Sequence, residues 1–237
     1  RSGKIMWCES GSEQVTTLDT PQALHTLADH PLAARVCLLL PASEMIFRHF
    51  TLPKKMASQA TAFSWMAEET LIGEVDDLHW TVLNKKGAEV DAVAIDSARL
   101  QQWLTRFHEA GLKVIQVLPD AWLLPVTAGG STLVAREENY WLRLSPHIAC
   151  NVEVGLLPLL MQKAGEGEVR CYGDIPPGIE VDEQLAAEHP LVLIQPQWRA
   201  CRVNVLHGAF SAKATSARAA KGMKAAVAVM GLLSLDR

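Results

Sequence analysis

The densest group of reactive side chains in this 237-residue sequence is a run of five carboxylates within ten residues. The run consists of Glu68, Glu69, Glu74, Asp76 and Asp77. Carboxylates at this spacing can perform acid–base catalysis or hold Mg²⁺, and they can also attract a basic partner protein. A solvated helix end without any ligand is the alternative explanation. We predict a partner-binding surface at this acidic run and no catalytic residues.

Phosphate-binding and nucleophile motifs are absent from the sequence. It contains no GxxxxGK[ST] loop and no GxSxG elbow. The small residues of Thr127–Thr132 precede a predicted strand, but no acidic partner for a metal stands at the right place beside them. Asp120 stands before an apolar stretch rather than before a glycine, and Glu166 would repel a phosphate from the turn that contains it. We therefore predict ordinary turns at these positions and no bound cofactor.

The five cysteines and eight histidines lack the CxxC, HxxxH and HExxH spacings that are typical of zinc sites. Cys37 and Cys150 lie in apolar runs, where cysteine behaves as a small buried side chain. We predict no metal site and a reducing, cytoplasmic compartment. A Ser-His-Asp triad stays open as an alternative, since its members would meet only in space. The net charge of −4 gives no reason to expect nucleic acid as a partner.

The elements that must position these residues alternate between short apolar runs and helical patterns, which predicts an α/β fold. Val36–Leu40 is a continuous apolar run suited to a buried strand, and a helix capped by Ser97 ends at Gly111. A hairpin at Thr132–Arg136 and Tyr140–Leu144 then begins the pattern again. We predict two tandem ribonuclease-H-like subdomains on the plan of the actin-like ATPase superfamily, without nucleotide chemistry. They cover residues 1–118 and 119–210.

Residues 211–237 form a segment of a different kind. The four basic residues before its apolar run are Lys213, Arg218, Lys221 and Lys224. Basic residues followed by an uncharged run are typical of the cytoplasmic entry to a membrane span, although the run from Ala225 is shorter than the roughly 20 residues that a span needs. We predict a basic juxtamembrane segment and the start of a transmembrane helix. An alanine-rich terminal helix packed on the domain is the alternative.

Motifs spread over residues 35–210 resemble the type II secretion system protein L family. The matching stretches are Leu40-Pro41, Arg48–Pro53, Glu68-Glu69, Asp76–His79, Trp103-Leu104, Ala110–Leu112, Leu118–Asp120, Leu124-Pro125 and Val203–Phe210. Their order and spacing carry the resemblance, and no single motif is diagnostic. His207 and Ala209 depart from the residues that are usual in the family. The family's first strand is not found after Arg1, so the first sheet is expected to be incomplete.

The resemblance implies a single-pass inner-membrane protein whose cytoplasmic domain has an actin-like fold without nucleotide chemistry. This domain would hold the secretion ATPase, the E protein, at the membrane. The M protein would be a partner through the membrane and periplasmic parts, and the assembled platform would contain several copies of the chain. The alternative is a nucleotide-binding, actin-like pilus assembly protein similar to PilM.

Overall fold

The structure is a computed structural model that describes residues 3–52, 77–211 and 225–229. These residues form three β-sheets and four α-helices, joined by short 3-10 turns. The strands are β1 (Ile5–Glu9), β2 (Thr16–Leu18), β3 (Val36–Leu40), β4 (Ile46–Thr51), β5 (Leu78–Lys86), β6 (Glu89–Asp96), β7 (Val114–Pro119), β8 (Ser131–Arg136), β9 (Asn139–Ser145), β10 (Ile148–Glu153), β11 (Val169–Tyr172), β12 (Glu183–Leu185) and β13 (Ala225–Val229). The helices are α1 (Ser97–Glu109), α2 (Leu157–Met161), α3 (Pro190–Leu193) and α4 (Gln195–Ala200).

The first sheet has the strand order β2-β1-β13-β3-β7. Its interior strand β3 is buried along its whole length, as the continuous apolar run predicted. The strand β13 lies in the centre, antiparallel to β1 and parallel to β3. Without it, the facing edges of β1 and β3 would leave their backbone N–H and C=O groups unpaired.

The position of β13 corrects the prediction for the tail. The sequence predicted the start of a transmembrane helix from Ala225, whereas Ala225–Val229 is a β-strand. The physical reason is that a short run of alanine and valine suits an interior strand as well as it suits a span. None of the helices within the described ranges is long and apolar enough to cross a membrane. The basic residues Lys213, Arg218, Lys221 and Lys224 lie outside the described residues.

The second sheet has the strand order β10-β9-β8-β11-β12. Strand β8 occupies its centre, antiparallel to β9 and parallel to β11. The two five-stranded sheets therefore share one pattern of order and direction, which confirms the predicted α/β fold with two actin-like subdomains. The exact boundaries at residues 118 and 210 stay a prediction.

A third sheet, β4-β6-β5, extends from the first subdomain. Strands β5 and β6 form an antiparallel hairpin, and Gly87 adopts the positive φ of 63° that its tight turn requires. Helix α1 follows β6 and buries Leu100, Trp103 and Phe107 on one face. Its N-cap is Asp96, whose Oδ1 accepts a hydrogen bond from Arg99 N at 2.8 Å, so the predicted cap at Ser97 was wrong by one residue.

The core joins the two subdomains. One face of the second sheet contributes Val134, Trp141 and Ala149 to the large apolar cluster built around β3, β7 and α1. The opposite face contributes Leu133 and Leu142 to a smaller cluster beneath α2. This split follows the alternation of side chains along a strand, so the second sheet is buried on both faces.

Candidate functional site between the subdomains

Asp120, at the end of β7, is the buried carboxylate that ties the subdomains together. Its Oδ1 accepts hydrogen bonds from Ala42 N at 2.9 Å and Ala121 N at 2.5 Å. Asn151 on β10 donates its Nδ2 to Asp120 Oδ2 at 3.1 Å. Burial raises the pKa of Asp120 to about 7, while the three N–H groups favour its charged form. Both carboxylate oxygens already accept hydrogen bonds from groups inside the protein. The Asp120 carboxylate therefore acts as a structural link between the two subdomains.

The glycine-rich turn before β8 packs against a second glycine-rich turn, which ends at Gly167. Gly130 N donates to the Thr127 carbonyl at 3.0 Å, and Gly167 N donates to the Gly129 carbonyl at 3.1 Å. A Cβ on Gly167 would lie 2.2 Å from the Gly129 carbonyl, so the two turns pack backbone against backbone. A phosphate cradle needs free N–H groups that converge on the ligand. These two N–H groups are bonded within the protein.

The first hairpin of the second subdomain turns through Glu137 and Glu138 between β8 and β9. Both residues are exposed, and Glu137 has a φ of 53°. An actin-like ATPase uses glycine-containing turns here to bring backbone N–H groups close to phosphate. Two carboxylates at the tip of this turn would instead repel a nucleotide triphosphate. The geometry of these two regions, the packed glycine turns and the β8–β9 turn, therefore does not favour nucleotide binding.

A cluster of two histidines and one aspartate lies where the three-stranded sheet meets the second subdomain. His49 Nδ1 and His147 Nδ1 both lie 2.6 Å from Asp91 Oδ1, and His49 Nε2 lies 2.7 Å from Glu89 Oε2. The hydrogen bond to Asp91 raises the pKa of His49 above its ordinary value. The sequence has no spacing motif for this cluster, because it depends on the pairing of β4 with β6, which sets His49 opposite Asp91, and on the approach of His147 from the β9–β10 turn.

The acidic run is represented in the described residues by Asp77 alone, which is exposed at the start of β5. Glu68, Glu69, Glu74 and Asp76 lie outside the described residues. The structure therefore leaves the predicted partner surface untested.

Comparison with known proteins decides the family. The model of the family "Type II secretion system (T2SS), protein L" matches residues 3–213. The chain belongs to this family. It is 34% identical over 212 residues to the putative type II secretion system protein L of Escherichia coli K12, a match covering 87% of this chain and 54% of that protein. The chain thus spans about half the length of this curated relative.

Two solved structures have a similar fold. One is the cytoplasmic domain of EpsL, an inner-membrane component of the type II secretion system of Vibrio cholerae, with a TM-score of 0.72 and 22% identity. That match covers 84% of this chain and 88% of the other. The second is the PilM–PilN type IV pilus biogenesis complex, with a TM-score of 0.51 and 13% identity, covering 82% of this chain and 91% of the other. These similarities confirm the fold that the sequence predicted.

Proposed function

We propose that this protein L chain is the cytoplasmic part of the inner-membrane platform of a type II secretion system. In this role it recruits the secretion ATPase, the E protein, to the membrane. The Vibrio cholerae relative is described as the cytoplasmic domain of an inner-membrane component, which supports the proposed location. The M protein would bind through the membrane and periplasmic parts of the whole protein. Several copies would stand side by side in the assembled platform.

Two turns of the actin-like fold support a binding role rather than nucleotide chemistry. Gly129, Gly130 and Gly167 use their backbone groups to close one turn, and Glu137 and Glu138 place negative charge on another. A fold of this kind, with no phosphate cradle at the described turns around Gly130 and Glu137, still offers two subdomains as a surface for partners. We therefore propose a scaffold with no catalytic activity, in preference to a nucleotide-binding protein similar to PilM.

The partner surface that we propose includes Glu68, Glu69, Glu74, Asp76 and Asp77. Five carboxylates within ten residues repel one another, and a basic partner would remove this repulsion. Asp77 is exposed beside β5, so this end of the run is open to a partner. Charges at the rim of an interface mainly accelerate association and sharpen specificity.

The test is affinity capture of the purified E protein by the immobilised chain at several salt concentrations. The unmodified chain should capture the ATPase, and Glu69→Lys with Asp76→Lys should weaken capture and reduce its salt dependence. The matched control is Glu137→Lys with Glu138→Lys, which reverses the same number of charges on the β8–β9 turn and should leave capture unchanged.

Each outcome bears on a separate part of the proposal. Equal capture by the Glu69→Lys, Asp76→Lys variant at low salt would remove the acidic run from the interface. Failure of the folded, unmodified chain to capture the ATPase would contradict recruitment itself.

A further inference from the structure

Two strands and one turn bring His49, Asp91 and His147 together from distant parts of the chain. His49 on β4 pairs directly with Asp91 on β6, so their side chains project from the same face of the three-stranded sheet. His147 reaches them from the turn between β9 and β10 in the second subdomain. The two imidazole rings lie 4.3 Å apart, centroid to centroid, at an interplanar angle of 40°. One nitrogen of each ring and one Asp91 oxygen all lie within 4.8 Å of one another.

We propose that His49, Asp91 and His147 form a binding site for a divalent transition metal of the zinc type. Two imidazole nitrogens and one carboxylate oxygen are a donor set that such ions prefer. Three protein ligands leave a fourth position for water, as in open zinc sites. The site goes beyond the recruitment function and is independent of it.

The imidazole nitrogens and the Asp91 oxygen can reach the spacing of a zinc site after a small movement of the histidine side chains. Ligand bonds of about 2.1 Å in a tetrahedral site place the ligand atoms roughly 3.4 Å apart. The two contacts of 2.6 Å between imidazole nitrogen and Asp91 are hydrogen bonds that would open by less than an ångström. His49 and His147 can make this movement, since their side chains are 39% and 42% exposed. Asp91, at 7% exposed, would stay fixed and anchor the site.

The surroundings of His49 resemble the outer shell of a metal site. Glu89 Oε2 lies 2.7 Å from His49 Nε2, and Thr51 Oγ1 donates to Glu89 Oε1 at 2.9 Å. A carboxylate that holds the proton on one ring nitrogen turns the other nitrogen, here Nδ1, toward the metal. This chain of contacts orients the imidazole before any ion arrives.

A neighbouring cation limits the affinity. Arg143 interacts electrostatically with Asp91, and its guanidinium is fixed by hydrogen bonds to the carbonyls of Leu124 and Pro146. Part of the Asp91 charge is therefore already offset. We expect a dissociation constant on the order of micromolar for zinc. A bound ion would fasten the three-stranded sheet to the β9–β10 turn, and so one subdomain to the other.

The experiment is calorimetric titration of the whole chain with Zn²⁺ after treatment with a chelator, together with thermal unfolding. The unmodified chain should bind one ion per chain, and its Tm should rise by several degrees in excess zinc. His147→Ala and the isosteric Asp91→Asn should each weaken binding by more than about 100-fold, since they remove a ligand. Glu89→Gln, which alters only the outer contact, should weaken it by roughly 10- to 100-fold.

The matched control is His108→Ala, because His108 is an exposed histidine on α1 outside the cluster. This variant should bind zinc as the unmodified chain does. Unfolding curves recorded without zinc identify any variant that has lost its fold, and Asp91→Asn then carries the test if His147→Ala is unfolded. Zinc affinity that is unchanged in folded His147→Ala and Asp91→Asn, or the absence of binding by the unmodified chain, would overturn the proposal.

Discussion

The two five-stranded sheets have the same pattern of parallel and antiparallel strands, but their central strands come from different parts of the chain. In the second sheet the centre is β8, which precedes the other four strands of that sheet in the chain. In the first sheet the centre is β13, which follows every other described strand of the molecule. The central position has one antiparallel and one parallel neighbour in both sheets. The pattern of pairing is therefore kept even though the order along the chain is not.

The difference has a physical origin in the length of the loop that each pairing closes. The β8–β9 hairpin closes within residues 131–145, whereas β13 pairs with β1 across almost the whole chain. Loop closure becomes more costly in entropy as the loop lengthens, although only slowly. The two hairpins of the second sheet can form from contacts that are close in sequence, whereas the centre of the first sheet depends on contacts that are distant in sequence.

The largest expected effect comes from the apolar face that joins the two sheets. Trp141 is 1% exposed and packs in the cluster shared by both subdomains, so Trp141→Ala should lower the free energy of unfolding by about 3–5 kcal/mol. Urea unfolding followed by circular dichroism measures this change. Because one core spans both sheets, a single transition should remain.

The control for this variant is Leu159→Ala, since Leu159 is 60% exposed. It should change the free energy of unfolding by less than about 0.5 kcal/mol. Two separate transitions in the unmodified chain, one for each subdomain, would show that the sheets fold independently.

A smaller effect should come from the closed turn of the second subdomain. In Gly167→Ala the added Cβ meets the Gly129 backbone at 2.2 Å, so the variant should be less stable by about 1–3 kcal/mol. Gly155→Ala is the matched control, because no atom lies within 4 Å of a Cβ added there. It should leave the stability within about 1 kcal/mol of the original or raise it. Equal stability of the two variants would mean that the turns are not packed together.

A cysteine variant in β13 should have the smallest effect on stability, and it tests the position of this strand in the first sheet. Ala226 lies opposite Cys8 on β1 and opposite Cys37 on β3. Facing residues on paired strands are close enough for a disulfide, so Ala226→Cys should form one with Cys8 or Cys37 under mild oxidation. Alkylation of the denatured chain followed by mass spectrometry counts the remaining thiols. The variant adds one cysteine to the five of the sequence and should lose two of these six thiols.

The control is Val227→Cys, which moves the new thiol by one residue along the same strand. Val227 lies opposite Trp7 on β1 and Leu38 on β3, neither of which can form a disulfide. All the thiols should therefore remain in this variant. The same thiol count in both variants would contradict the register of β13 in the first sheet.

The sequence predicted much of the fold, since local patterns are enough for β3, for the β8–β9 hairpin and for α1. It did not predict β13, because a short run of alanine and valine has no feature that separates a strand from the start of a span. It also missed the contacts of His49 with Asp91 and His147. These contacts depend on strand register and on the approach of the second subdomain, and neither leaves a spacing motif in the sequence.

In the proposed function an actin-like fold serves as a binding scaffold without nucleotide chemistry. The most direct measurement is calorimetric titration of the whole chain with Mg·ATP. We expect no binding up to about 1 mM ligand, which corresponds to a binding free energy weaker than about −4 kcal/mol. A cooperative thermal unfolding transition of the same preparation shows that the sample is folded. Micromolar affinity for Mg·ATP would contradict the claim and favour a nucleotide-binding protein similar to PilM.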